Sequence, residues 1–183
     1  MNDFPCLLTA IAEVLWKLMN LYLFRHGIAA ERSDKIHDAE RPLIPKGQRR
    51  TRRVARRLRQ IGVRFDVILT SPFLRAHQTA DILHEEKLGD RPIAFPPLAP
   101  TGKFEEGLAW LQDWQTKQTS ETNIVCVGHQ PNLGQWAEQL LWEKVGDRLM
   151  VKKAGIIGIK LGNLRHTVGN NELFLLTSPK WLP

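Results

Sequence analysis

Cysteine is scarce in this sequence: Cys6 and Cys126 are the two it has in 183 residues. Cys126 lies inside an apolar, strand-like run, so a disulfide-stapled secreted scaffold is excluded and the reducing cytoplasm is the default compartment. Neither cysteine opens a C-x5-R signature, since Ala12 and Asn132 stand at the sixth positions after them; a cysteine-dependent phosphatase mechanism is thereby excluded. Long apolar runs are also absent. The most apolar stretch, 4–19, is interrupted by Glu13 and Lys17 and falls short of the roughly 20 apolar residues a membrane span needs. Asp3 stands where a signal peptide would carry basic residues, so the stretch reads as a short amphipathic helix or an upstream extension, residues 1–19, before a domain at 20–183. No membrane association is expected. The metal-ligating spacing H-E-x-x-H is missing too, because His84-Glu85-Glu86-Lys87-Leu88 ends in leucine.

What is present is the composition of an ordinary globular domain, 43% hydrophobic and 25% charged. Strand-like and helix-like runs alternate, which argues for an α/β layered fold. Strands are expected at 21–25, 65–69, 93–95, 123–127, 156–161 and 173–176. Helices are expected at 46–61, closed by Gly62, at 71–87 with Ser71 as the cap and Pro72 in the first turn, at 104–117, and at 131–142. The expected architecture is a three-layer α/β/α sandwich with a mostly parallel mixed central sheet.

Lys and Arg outnumber Asp and Glu by 26 to 19, a net charge of +7, which points to an anionic partner. Nine basic residues between Lys46 and Arg64, with no acidic residue among them, exceed that net charge on their own. Thr51, Val54, Leu58 and Ile61 form the apolar stripe of this helix, and the arginines cover the rest. The segment therefore reads either as a solvated face, which charge runs usually are, or as a docking face for an acidic surface. No aromatic residue is interleaved to stack bases, so nucleic-acid binding has little support.

Three short motifs stand at the carboxyl ends of expected strands, where open α/β sheets place their ligands. Arg25-His26-Gly27 ends the first strand, the run from Ser71 to Ala80 with Arg75 follows the second, and Gly128-His129-Gln130-Pro131 follows the fourth. Two arginines near two histidines suit a phosphoryl group, because the guanidinium forms paired, charge-assisted hydrogen bonds to its oxygens. A neutral imidazole can attack phosphorus and a protonated one can stabilise the anionic transition state. The helix starting at Pro131 would aim its positive end at the same anion, and Gly27 and Gly128 would let backbone approach the ligand.

The stretches FRHGIA, ERPLIPKG, TSPFLRAHQTA and VGHQPNLG resemble the histidine phosphatase superfamily, phosphoglycerate-mutase-like in fold, and within it the SixA-type phosphohistidine phosphatases. The resemblance spans about 20–180. It implies that Arg25 and Arg75 clamp the phosphoryl group, that His26 is the nucleophile and becomes transiently phosphorylated, and that His129 completes the pocket. It implies no metal and no cofactor. His37 and Arg41 in the first loop are candidates to rim the pocket, and Gln130 to offer its backbone amide to the substrate. Larger members carry a general acid on an insertion for which this chain has no room; Glu105 and Glu106 are the nearest candidates, equally well explained as first-turn helix residues. A missing acid fits a phosphohistidine substrate, whose leaving imidazole is protonated near neutral pH.

The implied partner is a phosphohistidine-bearing protein, such as a phosphotransfer domain of a two-component signalling relay or a sugar-phosphotransferase carrier. Two other readings stand beside it. One is a small-molecule phosphomonoesterase of the same superfamily; the other is a phosphate-binding module without turnover. His77, two positions beyond Arg75, is expected to face away from it on the helix, and His84 and His166 read as surface or satisfied histidines.

Overall fold

The computed structural model describes residues 18–164, 168–169 and 171–182. The first strand, β1 (Met19–Arg25), sits at its centre with side chains alternating between two cores. Met19, Leu21 and Leu23 face one core, Tyr22 and Phe24 the other. A strand apolar on both faces belongs to a sheet covered on both sides. The other strands are β2 (Val67–Thr70), β3 (Ile93–Ala94), β4 (Thr122–Gly128), β5 (Ile156–Leu161) and β6 (Glu172–Thr177), in the order β3-β2-β4-β1-β5-β6. β3, β2, β4 and β1 run parallel, and β5 and β6 add antiparallel strands at one side.

The helices α1 (Pro45–Gln60) and α2 (Leu74–Glu85) cover the face of Tyr22 and Phe24 with Val54, Leu58, Ala76, Ala80 and Leu83. The helices α3 (Phe104–Thr116) and α4 (Asn132–Trp142) cover the opposite face with Leu111, Leu133, Trp136 and Leu140. This is the three-layer α/β/α sandwich expected from the alternation of elements. Leu21, Leu23, Leu58 and Leu140 are 0–1% exposed, so truncating any one to alanine is worth about 2–5 kcal/mol. Among the described residues no helix is long and apolar enough to cross a membrane.

Two expectations are corrected. Met19 is not a residue outside the domain: it is fully buried and paired with Thr122 in β1. Ser71 is not a helix cap, because α2 starts only at Leu74 and Phe73 caps it without a side-chain bond. Residues 1–17, Cys6 among them, and His166 lie outside the described residues.

The register fixes where the chemistry sits. Arg25 pairs with Gly128 and Thr70 with Val127, so β2, β4 and β1 end level with one another. Their three following loops therefore meet at one edge of the sheet.

Candidate active site

His26 leaves β1 on a backbone held from two sides: its amide donates to Gly128 O at 3.0 Å, while the Ala154 amide donates to the carbonyls of Arg25 and His26. The residue is 7% exposed. Two contacts fix its tautomer. Nδ1 lies 2.7 Å from Gly27 O, which can only accept, and Arg75 Nε, which can only donate, lies 3.3 Å from Nε2. Nδ1 therefore carries the proton and Nε2 the lone pair. Burial first, then the charges of His129, Arg75 and Arg25, lower the His26 pKa to about 3. The imidazole is neutral across the physiological range and is a competent nucleophile.

His129 leaves β4 beside it, with ring centroids 5.0 Å apart. Its Nε2 lies 2.8 Å from Ser71 Oγ, the job that Ser71 performs in place of capping α2. Burial, followed by the Arg75 charge, lowers the His129 pKa to about 3, with Asp38 opposing. His129 Nδ1 and Arg25 Nε are both buried without a protein partner. Such atoms cost about 1–3 kcal/mol each when unsatisfied. Arg25 Nε can only donate, and His129 Nδ1 donates in the tautomer that carries its proton there, so each has a hydrogen bond to offer an acceptor oxygen.

Arg75, 4% exposed, is fixed by four groups. Besides donating to His26, it donates through one terminal nitrogen to Asp38 O at 2.6 Å and through the other to the Asp38 carboxylate at 3.0 Å. Its guanidinium also lies 5.0 Å over the Phe73 ring, which packs edge-on against His129. Arg25 donates to Val151 O at 2.7 Å, and its charge reaches both imidazoles.

Of the other expected site residues, Arg41 approaches the pocket indirectly. It pairs with Asp38 at 2.8 Å and donates to Ala30 O. His37 is exposed, and its Nδ1 caps the 3-10 turn Asp38–Glu40. Gln130 acts through its side chain, which accepts from Val151 N and donates to Leu149 O, so it holds the loop whose carbonyl fixes Arg25. The buried Glu138 accepts amides of Gly146, Arg148 and Leu149 in the same loop. Glu105 and Glu106 are exposed in the first turn of α3 and make no ion pair or hydrogen bond with the four central residues.

At the two glycines a side chain would meet the helices: a Cβ on Gly27 would fall 2.6 Å from Thr51 Oγ1, and one on Gly128 would fall 3.1 Å from Leu133. The Gly27 amide is likewise engaged, by Thr79 Oγ1 at 3.0 Å.

Sequence reasoning passed over Asp38, the carboxylate that orders the site. Burial alone would raise its pKa, but the Arg75 charge and hydrogen bonds from Arg75 and Arg41 outweigh this and hold it at about 2. The D-x-x-R spacing to Arg41 was its one visible signal. Lys153 was missed as well. It lies between Val151, which binds Arg25, and Ala154, which binds the backbone of residues 25–26.

A buried neutral imidazole, a second imidazole beside it and two fixed guanidiniums have the chemistry to bind a phosphoryl group, attack it and stabilise the charge that spreads over its oxygens. Comparisons with known proteins agree. Residues 21–97 match the histidine phosphatase superfamily (branch 1). The chain is 53% identical, over 90% of its length and 99% of the other's, to an uncharacterized protein of Picosynechococcus. It is 30% identical to the phosphohistidine phosphatase SixA of Escherichia coli, over 67% of this chain and 74% of that one. The solved structure of the protein histidine phosphatase SixA complexed with tungstate superposes with a TM-score of 0.77 at 26% identity, covering 90% of this chain and all of that one. The fold is phosphoglycerate-mutase-like, and these relatives support a phosphatase. Fold, strand-end motifs and likenesses together place the chain in the histidine phosphatase superfamily, to which it belongs.

Proposed function

We propose that the protein hydrolyses phosphohistidine on a partner protein, with Arg25, His26, Arg75 and His129 as its central residues. The observation that carries this reading is the state of Asp38. It is the carboxylate in contact with the pocket arginines, and at a pKa of about 2 it holds no proton to give at neutral pH. An alkoxide leaving group needs such a proton, whereas the imidazole leaving a phosphohistidine takes one from solvent near neutral pH.

In the first step the Arg75 Nε–H hydrogen bond to His26 gives way to the phosphoryl oxygens, and the freed Nε2 lone pair attacks phosphorus in line with the substrate's N–P bond. That bond breaks, its electron pair stays on the leaving imidazole, and a proton from water neutralises it. Arg75 and Arg25 hold the phosphoryl oxygens, and His129 stands beside them. In the second step water attacks phospho-His26, the new N–P bond breaks, and Nε2 recovers its lone pair as phosphate leaves.

The test is hydrolysis, in EDTA, of a phosphohistidine peptide alongside an aryl phosphate and a sugar phosphate, for the wild type and His26→Ala. Fast release from phosphohistidine, slow release from the esters and no turnover by His26→Ala are expected. Preference for an ester would move the function to small-molecule metabolism. Binding of phosphate without turnover of any substrate would leave a phosphate-binding module.

A further inference from the structure

The basic residues of α1 divide into two groups. Arg52 and Arg56 meet Glu85 and Glu86 at the end of α2, at 2.8–3.1 Å. Lys46, Arg49, Arg50, Arg53, Arg57 and Arg59 make no ion pair among the described residues. The acids of the fold thus neutralise only the side of α1 that meets α2.

Lys46, Arg49, Arg50, Arg53 and Arg57 follow the three-and-four spacing of one helix face, and the first four line a shared surface concavity. Lys46 and Arg50, Arg49 and Arg53, and Arg53 and Arg57 are like charges four residues apart, each pair working against the helix by about 0.2–0.5 kcal/mol. A solvated face needs polarity but not a single sign. The strip's like charges oppose one another along α1, and what the strip presents outward is attraction for negative charge.

Its position relates it to the nucleophile. The Ile44 amide donates to Ile28 O at 3.0 Å, and a Cβ on Gly47 would fall 2.0 Å from that same oxygen. The first turn of α1 therefore touches the backbone two residues beyond His26. From Lys46 to Arg53, the residues that line the concavity, the strip extends about 10 Å, seven residues at 1.5 Å each, and Arg57 lies a further turn along, beyond it. A small phosphate ester seated at His26 cannot span that length, but a macromolecule can.

We infer that Lys46, Arg49, Arg50 and Arg53 are a docking strip for an acidic surface of the phosphohistidine-bearing protein, an inference that rests on the function proposed above. The strip carries no aromatic residue for stacking bases, which favours protein over nucleic acid. Charge on this flank acts chiefly on encounter rate and salt dependence.

The experiment compares Arg49→Glu/Arg50→Glu/Arg53→Glu with Arg57→Glu/Arg59→Glu/Arg64→Glu, which makes the same charge change at the far end of the segment. Substrates are a phosphorylated phosphotransfer domain of acidic pI and a short, neutral phosphohistidine peptide. The first variant raises KM for the domain roughly ten- to hundredfold at low salt and flattens its salt dependence, leaving kcat and the peptide rates within about twofold. The far variant changes KM for the domain by less than about threefold. Equal losses in both variants, loss on the peptide as well, or no loss at all would overturn the strip. So would an RNA oligonucleotide whose binding the first variant abolishes while its kinetics on the domain stay normal. If the wild type cleaves neither phosphohistidine probe but does cleave an aryl phosphate, the proposed function itself has failed and the strip's assignment falls with it. Melting temperature serves as the folding control and should not drop in the first variant, which turns two of the three like-charge pairs, 46/50 and 53/57, into opposite ones and keeps 49/53 alike.

Discussion

Arg75 is 4% exposed and donates to His26, to the Asp38 carbonyl and to the Asp38 carboxylate, whereas Arg53 is exposed and pairs with no acid among the described residues. The same side chain thus serves in two regimes. At the pocket its orientation is fixed before substrate arrives, so its planar fork matters as much as its charge. On α1 it is unoriented and screened, so only its charge matters, and only within about a Debye length. The way to break this comparison is to keep the charge and remove the fork. Arg75→Lys should lower kcat about a hundredfold, as loss of a positioned transition-state donor does, and Arg53→Lys should change nothing measurable. Equal sensitivity at the two positions would show that the pocket works by net charge alone.

Asp38 sharpens the same contrast, because it is what separates an oriented arginine from a free one. Asp38→Asn leaves the fold's apolar cores untouched but removes the anion that holds Arg75 and Arg41. A fall in kcat of about ten- to hundredfold is expected, with recovery in Asp38→Glu to the extent that the longer carboxylate reaches Arg75. A general acid would behave differently: its loss would spare substrates with good leaving groups. If Asp38→Asn slows sugar phosphate hydrolysis yet leaves phosphohistidine unaffected, Asp38 is donating a proton rather than positioning Arg75.

Why Arg25, His26, Arg75 and His129 could be named from sequence while Asp38 could not is a matter of contact range. Arg25, His26 and His129 stand at strand ends and Arg75 in the first turn of the helix that follows β2, and such ends are set by local patterning; β1, β4 and α1 fell within two residues of their expected limits. Asp38 acquires its role only when a loop folds back over α2, 37 residues on. Gln130 and Glu138 become loop anchors through contacts at 8–21 residues' separation, across a turn with no periodicity to read. Ser71 shows the opposite failure. Ser-Pro has a strong local meaning at helix starts, and a hydroxyl needed by His129 overrides it. At Gly27 the need for a small residue was readable, but the atom it makes room for, Thr51 Oγ1, was not.

The pocket's histidines separate from the rest of the surface by their response to pH. His26 and His129 titrate near 3 in the folded protein and near 6.5 when unfolded, so the unfolded chain binds more protons between those values. Stability is then fully present above pH 6.5 and is lost as pH falls toward 3. Melting temperature should therefore drop between pH 7 and 4.5, and drop less in His26→Asn/His129→Asn. Arg53 is not among the charges that act on either imidazole, so Arg53→Gln should leave the slope as in the wild type. A slope that the histidine variant does not change would assign the acid sensitivity to carboxylates such as Asp38.

Lys153 lies between the two regimes and is expected to show the smallest effect. It is exposed like the α1 cations, yet burial and then the charges of Arg25, Arg41 and Arg75 lower its pKa from the ordinary lysine value. Those neighbours repel it, and an anion bound among them would reverse the sign of its surroundings. Lys153 should then strengthen binding of a dianion without contributing to the bond-breaking step. Lys153→Gln is expected to weaken competitive inhibition by inorganic phosphate about three- to tenfold at low ionic strength and hardly at all in high salt, with kcat unchanged. A fall in kcat instead would move Lys153 into the group of oriented side chains with Arg75; no change in either quantity would leave it with the solvated cations of the outer surface.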